Sequence, residues 1–448
     1  MSGAEAGAYT MSIEGCLAEA IGGHGLGRGT LASVLDELAP AFADLKASVG
    51  TGRMAFLDIV RARDDIAEAR TALERLTRGA RTLIFFGTGG SSLAGQTLAQ
   101  LAGWNIPGSA VESQRGRPRT RFYDNLDPVT LERSLATLDM ATCRFVLISK
   151  SGGTPETLVQ AAAAVSAIRR AGLGERIGEF ILGITEPAAP GSANPLRKLL
   201  SSLGAPMLEH HPGIGGRFSG LTNVGLVPAM ARGLDPLAIR AGAADVIDAL
   251  LAAPSPEACP PALGAAAIIG LARHRGIRTL VMMPYADRLG RFAHWWVQLW
   301  AESLGKGGHG STAHACLGPL DQHSQLQLFM DGPRDHVVTV LRSPLAGTGP
   351  RVEADLAQAA GVDYLAGRTV GDLVAAQTSA IPEALRRAGR PVRTFDLAAL
   401  DEATLGALMM HMMLETILAA RLLGVDPFGQ PAVELAKDLT RQALRPKA

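Results

Sequence analysis

The stretch Cys143-Arg-Phe-Val-Leu-Ile-Ser-Lys-Ser-Gly-Gly-Thr-Pro-Glu-Thr157 decides how this chain folds. Its apolar, β-branched run from Phe145 to Ile148 predicts a buried parallel strand, because strands covered on both faces are continuously hydrophobic. A polar loop (149–154) follows, and Pro155 suits the first position of a helix, where its missing N–H costs nothing. The stretch therefore predicts a strand, a short polar loop and a helix N-terminus, in that order.

The polar loop favours a phosphate site. A helix N-terminus presents free backbone N–H groups and the positive end of the helix dipole. The loop adds hydroxyl groups and one cation, on Ser149, Lys150, Ser151 and Thr154. The structural alternative is an ordinary serine- and glycine-rich turn that is capped by Thr154. Because the loop has no Walker A pattern, we expect a phosphorylated metabolite and not a nucleotide.

A second unit of the same kind lies earlier in the chain. Arg81 to Phe86 predicts a strand, Gly87-Thr-Gly-Gly-Ser-Ser92 a loop, and a helix begins at about Leu93. The loop is a poor match to a dinucleotide fingerprint, and a small anion or sugar hydroxyl contacted by Ser91 suits it better. A tight turn that only lets the helix pack on the sheet is an equal alternative.

Strands that alternate with helices indicate an α/β fold with two doubly wound parallel-sheet domains flanked by helices. Further strands are predicted at Arg121–Tyr123, Phe180–Ile184, Arg278–Met283, Val337–Leu341 and Val392–Phe395. The predicted domains are an N-terminal helical segment (1–50) packing on the second domain, a first domain with the phosphate loop (51–235) and a second domain (236–448). Ligands in such sheets bind beyond the carboxyl ends of strands, where both loops belong.

Composition excludes several classes of function. The 448 residues carry a net charge of +1, so the chain lacks the large excess of positive charge that is typical of proteins that bind nucleic acid or an acidic membrane. The four cysteines have no CxxC spacing and the ten histidines no metal-ligand spacing, so reduced thiols and no metal are expected. Met1 to Glu14 lacks the features of a signal peptide, and the apolar Leu405–Leu423 predicts a buried or interface helix. These features predict a cytoplasmic protein.

Two further motifs carry candidate charged groups. Arg217 stands in Gly215-Gly-Arg-Phe-Ser219, where glycines let the backbone approach a ligand, and this setting favours an anion-facing role over a surface ion pair. Asp287 to Leu304 predicts a tryptophan-rich helix on which Gln298 and Glu302, four residues apart, share one face. Glu302 is either a partly desolvated general base or a partner in an ion pair with Arg291 or Lys306, and spacing alone leaves this open.

The remaining candidates are weaker on their own. His323 lies in the polar stretch Gly318-Pro-Leu-Asp-Gln-His-Ser324, and a lone histidine is more often structural or exposed. Gln430 precedes a helix that opens with Pro431, and Lys437 by itself predicts an ordinary solvated helix lysine.

Taken together, the motifs resemble the glucose-6-phosphate isomerase (phosphoglucose isomerase) family in its short bacterial form, which has the sugar-isomerase (SIS) fold. The resemblance covers roughly residues 80–440. Its six ordered stretches are Gly87–Ser91, Ser149–Thr157, Gly215–Ser219, Gln298–Lys306, Asp321–Ser324 and Gln430–Lys437. Six motifs in the right order are far more specific than any one of them.

The resemblance implies an aldose–ketose isomerase of glycolysis and gluconeogenesis that interconverts glucose 6-phosphate and fructose 6-phosphate through a cis-enediol(ate), with no cofactor. It places the substrate phosphate on Ser149, Lys150, Ser151 and Thr154, with Gln298 holding the phosphate end and with Ser91, Gly216 and Gln430 also contacting the substrate. Glu302 would shuttle the proton between C2 and C1, and Arg217 would face the enediolate.

Ring opening and assembly are also implied by the resemblance. His323 and Lys437 would assist ring opening, and Glu156 would support the histidine side of the site. Family members are homodimers in which the histidine crosses the interface, so a homodimer with shared active sites is implied, and Leu405–Leu423 is a candidate contact.

Departures from the family and rival functions remain. Gly153 stands where a second threonine is common, Gly429 where an Asp or Asn is common, and His309 and His314 receive no role. A non-catalytic phosphosugar-binding regulator on the same fold is one rival. An isomerase of broader specificity, which also accepts mannose 6-phosphate, is another, because one or two pocket contacts decide such specificity. A nicotinamide enzyme using Gly87–Gly90 is a third.

Overall fold

The computed structural model describes residues 5–108, 116–189, 191 and 193–445, and the remaining residues, including the first four of the predicted 1–50 segment, lie outside them. The strands are β1 (Glu5–Ala6), β2 (Tyr9–Ser12), β3 (Thr82–Phe86), β4 (Arg119–Tyr123), β5 (Cys143–Ile148), β6 (Ile181–Thr185), β7 (Met207–Glu209), β8 (Thr279–Pro284), β9 (Thr312–Ala315), β10 (His336–Arg342) and β11 (Val392–Leu397).

The α-helices of the first half are α1 (Ala18–Ile21), α2 (Arg28–Ser48), α3 (Ala55–Asp58), α4 (Asp64–Leu76), α5 (Leu93–Leu101), α6 (Pro128–Thr137), α7 (Pro155–Arg170), α8 (Ile177–Phe180), α9 (Pro195–Ser202) and α10 (Asn223–Ala231). Those of the second half are α11 (Pro236–Ala252), α12 (Pro260–Arg275), α13 (Gly290–Leu304), α14 (Leu320–Ser324), α15 (Leu326–Asp331), α16 (Ala354–Ala359), α17 (Val370–Arg387), α18 (Glu402–Leu423) and α19 (Glu434–Leu444). Short 3₁₀ turns join many of them.

The first sheet has the strand order β4-β3-β5-β6-β7, and every pair in it is parallel. The chain leaves β3 for β4 on one side and then crosses back to β5 on the other. The strand order therefore reverses between β3 and β5. Ligands of doubly wound sheets bind beyond the carboxyl ends of the strands at such a switch point, where the loops after β3 and β5 both begin.

Alternate side chains of these strands point to opposite faces of the sheet, and each face is covered by a layer of helices. Leu83 and Phe85 pack with α4 and α10 on one face, whereas Ile84 and Phe86 pack with α6, α7 and α9 on the other. This alternation follows from the two-residue period of a strand. The prediction of an α/β fold with parallel sheets flanked by helices is confirmed.

The second sheet has the order β1-β2-β11-β10-β8-β9. Strands β8 to β11 are parallel, as expected, but β2 pairs with β11, and β1 with β2, in the antiparallel sense. The N-terminal segment is thus not wholly helical, because its first strands extend the edge of this sheet. Its helix α2 lies on α12, where Leu26 and Val34 pack against Gly270.

Helix α18 is the central helix of the second half. It is the one described helix long and apolar enough to cross a membrane by length and composition, yet 94% of its most apolar window is buried inside the chain. It packs against α11, α12, α13 and α2. The prediction that Leu405–Leu423 is buried is confirmed, and its alternative role as a dimer contact is wrong because the fold already covers these side chains.

Candidate active site

The loop after β5 is shaped to hold an anion. The Ser149 hydroxyl is buried and lies 2.9 Å from the Thr154 hydroxyl, and Gly153 donates its N–H to the Ser151 oxygen at 3.3 Å. Gly152 has a φ of +67°, and a Cβ there would lie 1.7 Å from Asn194 Oδ1, so only glycine is accommodated. Within the described chain the Thr154 side chain caps no N–H of α7, so the first turn keeps donors for a ligand.

The cation of this loop is only partly neutralised. Lys150 Nζ lies 3.6 Å from Glu186 Oε1, a loose ion pair in which both side chains keep roughly a third of their surface exposed. Such a pair contributes at most about 1 kcal/mol, so the ammonium can change partner when a phosphate arrives. Ser151 and Glu156 are exposed at the loop and the start of α7.

The glycine loop after β3 connects the phosphate loop to the second half of the chain. A Cβ on Gly87 would lie 3.2 Å from the carbonyl oxygen of Ile148, which directly precedes Ser149. Gly89 has a φ of +55°, and a Cβ there would lie 3.0 Å from Gln298 Nε2. Because Gly87 and Gly89 are two residues apart, their Cα atoms are at most about 7 Å apart, and one short loop therefore contacts both the strand before Ser149 and the Gln298 side chain. Ser91, half-buried, ends the 3₁₀ turn of this loop.

Glycines also bring the Arg217 turn against this loop. A Cβ on Gly90 would lie 2.4 Å from the carbonyl carbon of Gly216 and 2.7 Å from the backbone nitrogen of Arg217. The two backbones touch, and Gly90 cannot accept a side chain there, whereas a Cβ on Gly216 would lie at an ordinary contact distance of 3.4 Å from the Gly90 Cα atom. The Ser219 hydroxyl donates to the Gly216 carbonyl at 2.7 Å and stabilises the turn. The expected close approach of the backbone therefore occurs, although its partner is another loop.

Arg217 has a buried side chain that crosses from this turn to two other segments. Its Nε donates to Ser303 Oγ at 2.8 Å, and its Nη1 donates to Glu302 Oε2 and to Gln430 Oε1, each at 3.0 Å. Its Nη2 donates to the carbonyl oxygens of Pro427 and, at 2.9 Å, of Phe428. Burial lowers the pKa of Arg217 and the Glu302 charge raises it, and a guanidinium stays charged in either case.

Glu302 and Gln298 do share one face of α13. Gln298 Nε2 donates to Glu302 Oε1 at 2.8 Å, while the other carboxylate oxygen pairs with Arg217. The ion pair foreseen for Glu302 thus exists, but its partner is neither Arg291 nor Lys306. Trp295, Trp296 and Trp300 are fully buried behind this face, so the helix that carries the carboxylate is rigidly supported.

The structure brings one set of the predicted site residues together and leaves another apart. The first set lies on loops and a helix that contact one another in sequence, and it comprises Ser91, Ser149, Thr154, Gly216, Arg217, Gln298, Glu302 and Gln430. His323 is exposed on α14, and its side chain makes no hydrogen bond or ion pair within the described residues. Lys437 is exposed on α19, where it pairs with Glu434 at 2.6 Å.

Several residues at the site were missed by sequence reasoning. Ser303 and Asp426 contact Arg217 or the loop that it holds, and Asn194 closes the phosphate loop through Gly152. Lys306 was considered only as a partner of Glu302, whereas it binds the Asp426 carbonyl. Asp426 opens an Asp-Pro-Phe-Gly sequence, which is typical of a turn whose aspartate accepts backbone N–H groups, and that signal was available. The others are visible only through contacts between distant segments.

Comparison with known proteins places the site in a family context. The profile of the phosphoglucose isomerase (PGI) family matches residues 74–447. The glucose-6-phosphate isomerase of Rubrobacter xylanophilus is 36% identical over 413 residues, which cover 91% of this chain and 92% of that protein.

Two solved structures have the same fold. The crystal structure of the hypothetical protein TT0462 from Thermus thermophilus superimposes with a TM-score of 0.82 at 30% identity and covers 97% of this chain and 99% of that one. A glucose-6-phosphate isomerase from Chlamydia trachomatis superimposes with a TM-score of 0.71 at 21% identity, over 85% of this chain and 73% of that one.

Proposed function

This chain belongs to the phosphoglucose isomerase family, and we propose that the cluster of residues around Glu302 and Arg217 is the centre at which it interconverts glucose 6-phosphate and fructose 6-phosphate. The reaction is an aldose–ketose isomerisation of glycolysis and gluconeogenesis. One observation carries the assignment of the site. The Glu302 carboxylate is held between Gln298 and Arg217 and lies one glycine loop away from the Ser149 phosphate loop.

The substrate spans that distance with its two ends in different environments. Its phosphate accepts hydrogen bonds from the Ser149 and Thr154 hydroxyl groups and from the first turn of α7, with the Lys150 ammonium adding charge. Its C1 and C2 then lie at Glu302, with Gln298 and Ser91 between the two ends. A bound phosphate thus orients the carbon atoms for proton transfer.

Glu302 acts as the base that takes the proton from C2 of the aldose and returns it to C1. The reaction passes through a cis-enediol(ate), and catalysis of this proton transfer by a positioned base raises the rate by about a hundred- to ten-thousand-fold. Glu302 becomes neutral when it takes the proton, which weakens its hold on Arg217 Nη1. The same N–H is then available to the enediolate oxygen, which gains negative charge in the same step.

Ring opening requires further groups, and the proposal assigns it to His323 and Lys437, with Glu156 supporting the histidine. His323 is exposed, which suits a residue that a second copy of the chain contributes, so we propose a homodimer with shared active sites. Lys437 lies on the exposed helix α19, and the proposal requires this helix to pack against the site when the sugar is bound. Gln430, held by Arg217, anchors the chain seven residues before it. The four buried, unpaired cysteines suit the reducing cytoplasm.

A coupled assay that follows glucose 6-phosphate formation from fructose 6-phosphate tests the proposal. We expect turnover by the wild-type protein, and we expect Ser149→Ala to raise KM by about tenfold through loss of a hydrogen bond to a charged group. Absence of turnover with preserved phosphosugar binding would favour the non-catalytic regulator. Mannose 6-phosphate in the same assay measures epimer specificity. A fully active monomer in analytical ultracentrifugation would contradict the shared active site.

A further inference from the structure

The loop between α18 and the segment before α19 (residues 424–430) has no regular secondary structure, yet its backbone carbonyls are held by two cations. Lys306 Nζ donates to the Asp426 carbonyl. Arg217 Nη2 donates to the next three carbonyls, those of Pro427, Phe428 and, at a longer 3.4 Å, Gly429. An irregular segment is thereby fixed at the place where it meets the guanidinium.

The Asp426 side chain organises the same loop from within. Its Oδ1 accepts the N–H of Phe428 and its Oδ2 the N–H of Gly429, both at 3.1 Å. Burial raises the pKa of Asp426. The two N–H groups and the charges of Lys306 and Arg217 lower this pKa and together outweigh burial, so the net shift of the pKa is downward. The carboxylate therefore stays ionised and turns three successive carbonyls toward Arg217.

The loop decides which N–H groups of Arg217 are left for chemistry. A guanidinium has five N–H donors in a fixed plane. Ser303 takes the one on Nε and the loop takes those on Nη2, so Nη1 alone serves Glu302 and Gln430. A rotation of the loop would rotate the guanidinium plane and move Nη1 away from the Glu302 carboxylate.

Lys306 connects this loop to the helix that carries the base. It follows Glu302 by four residues, just after the end of α13, and it is half-buried. Burial and the nearby Arg217 charge lower its pKa, while Asp426 and Glu302 oppose that shift. The ammonium therefore lies in the field of all three charged groups of the site.

We propose that Asp426 and Lys306 are positioning residues of the isomerase, which hold the 424–430 loop so that Arg217 presents Nη1 to Glu302 and to the enediolate. The proposal rests on the proposed function of the Glu302 site. It assigns these two residues no contact with the sugar. Their effect is confined to the step in which charge develops beside Arg217.

Three single variants and one double variant test this, and the single ones are Asp426→Ala, Lys306→Met and Lys306→Arg. We expect the first two to lower kcat by about ten- to a hundredfold with KM for fructose 6-phosphate within about twofold, because a misplaced group of the transition state affects kcat and not uniform binding. Lys306→Arg keeps a charged donor and should restore most of the loss. The double variant Asp426→Ala/Lys306→Met should be little worse than the more severe single one, because both release the same loop.

Two inhibitors separate positioning from a general structural effect. A five-carbon hydroxamate phosphate imitates the charged enediolate, and an acyclic polyol 6-phosphate imitates the uncharged open chain. The proposal expects the affinity for the hydroxamate to fall with kcat and the affinity for the polyol phosphate to stay unchanged. Glu179→Ala, which removes an exposed carboxylate paired with Arg176 at 2.6 Å, is the matched control and should match wild type in every assay.

Wild-type kcat in folded Asp426→Ala and Lys306→Met would overturn the proposal, as would equal losses of affinity for both inhibitors. If Asp426→Ala does not fold, the difference in kcat and in inhibitor affinity between Lys306→Met and Lys306→Arg is sufficient by itself to test the positioning role. Failure of the wild-type protein to isomerise fructose 6-phosphate would instead overturn the proposed function, so the two failures are distinguishable.

Discussion

The replacement Glu302→Gln removes the charge of the proposed base and leaves its shape. Both neighbours of this carboxylate are donors, Gln298 Nε2 at 2.8 Å and Arg217 Nη1 at 3.0 Å, so an amide can satisfy only one of them as an acceptor. Gln298 can resolve the conflict by turning its own amide, because its buried Oε1 has no partner among the described residues. Arg217 keeps its bonds to Ser303, Gln430 and the loop carbonyls.

The structure therefore separates the effect on folding from the effect on rate. The exposed third of the Glu302 side chain and the remaining partners of Arg217 limit the loss of unfolding free energy to about 1 kcal/mol, the value of one net hydrogen bond. Loss of the base should lower kcat by about a thousandfold, or about 4 kcal/mol in activation free energy. Binding of an acyclic polyol 6-phosphate should stay within about threefold of wild type, because the phosphate loop is intact.

The coupled assay measures kcat, calorimetry the affinity for the polyol phosphate, and urea unfolding the stability. Glu179→Gln is the control for charge removal from an exposed ion pair and should behave as wild type. A kcat for Glu302→Gln within tenfold of wild type would remove this residue from the chemical step. A large loss of stability together with the loss of rate would make its role structural.

Three other outcomes are expected. Arg217→Lys loses the planar fork that reaches the carboxylate and the loop together, so kcat should fall by about a hundred- to a thousandfold, and retention of a tenth of the activity would refute this. Gly90→Ala would place a Cβ 2.7 Å from the backbone nitrogen of Arg217 and should cost both stability and activity, whereas at Gly23 a Cβ meets nothing within 4 Å and melting should not change. Burial lowers the pKa of His210 to about 4. In the unfolded chain the pKa of this histidine has its ordinary value of about 6.5, so between pH 7 and pH 5 the unfolded chain binds a proton there and the folded chain does not. The contribution of His210 to the free energy of unfolding should therefore fall by about 2 kcal/mol from pH 7 to pH 5. Urea unfolding at both pH values should show a weaker pH dependence for His210→Gln; an unchanged dependence would refute the assignment.

The strands that sequence reasoning found are those with strong local signals. Continuous apolar runs predicted β3, β5, β6, β8 and β10 within about two residues, because a strand buried on both faces has to be hydrophobic along its length. The short β7 and the partly exposed β9 were missed, since neither has such a run. Strand β2 was missed because its pairing with β11 joins residues almost 400 positions apart, and β1, only two residues long, is held in the sheet by β2 alone.

The buried polar groups of α18 illustrate the same limit. His411 and Glu415 lie on a helix whose sequence only indicates that it is apolar, yet Glu415 pairs with Arg393 of β11 at 2.7 Å and His411 with Tyr9 of β2 at 2.6 Å. Burial lowers the pKa of His411, which keeps the imidazole neutral beside Arg393. These partners come from both ends of the chain, so no local pattern announces them.

The amino-acid sequence by itself determined the strand–loop–helix units and the residue types that resemble an isomerase site. It also determined the glycine positions in the loops, where the backbone conformation or a close approach excludes other residues. These are properties of short segments, because hydrophobic period, turn chemistry and helix starts depend on neighbours in the chain. Only the tertiary structure decided that Arg217 joins Glu302 to the 424–430 loop. It also decided that Glu302 pairs with Arg217 and not with Arg291 or Lys306, and that α11, α12, α13 and α2 are the helices that enclose α18. Such contacts depend on how whole sheets and helices pack, which residues far apart in the sequence determine together.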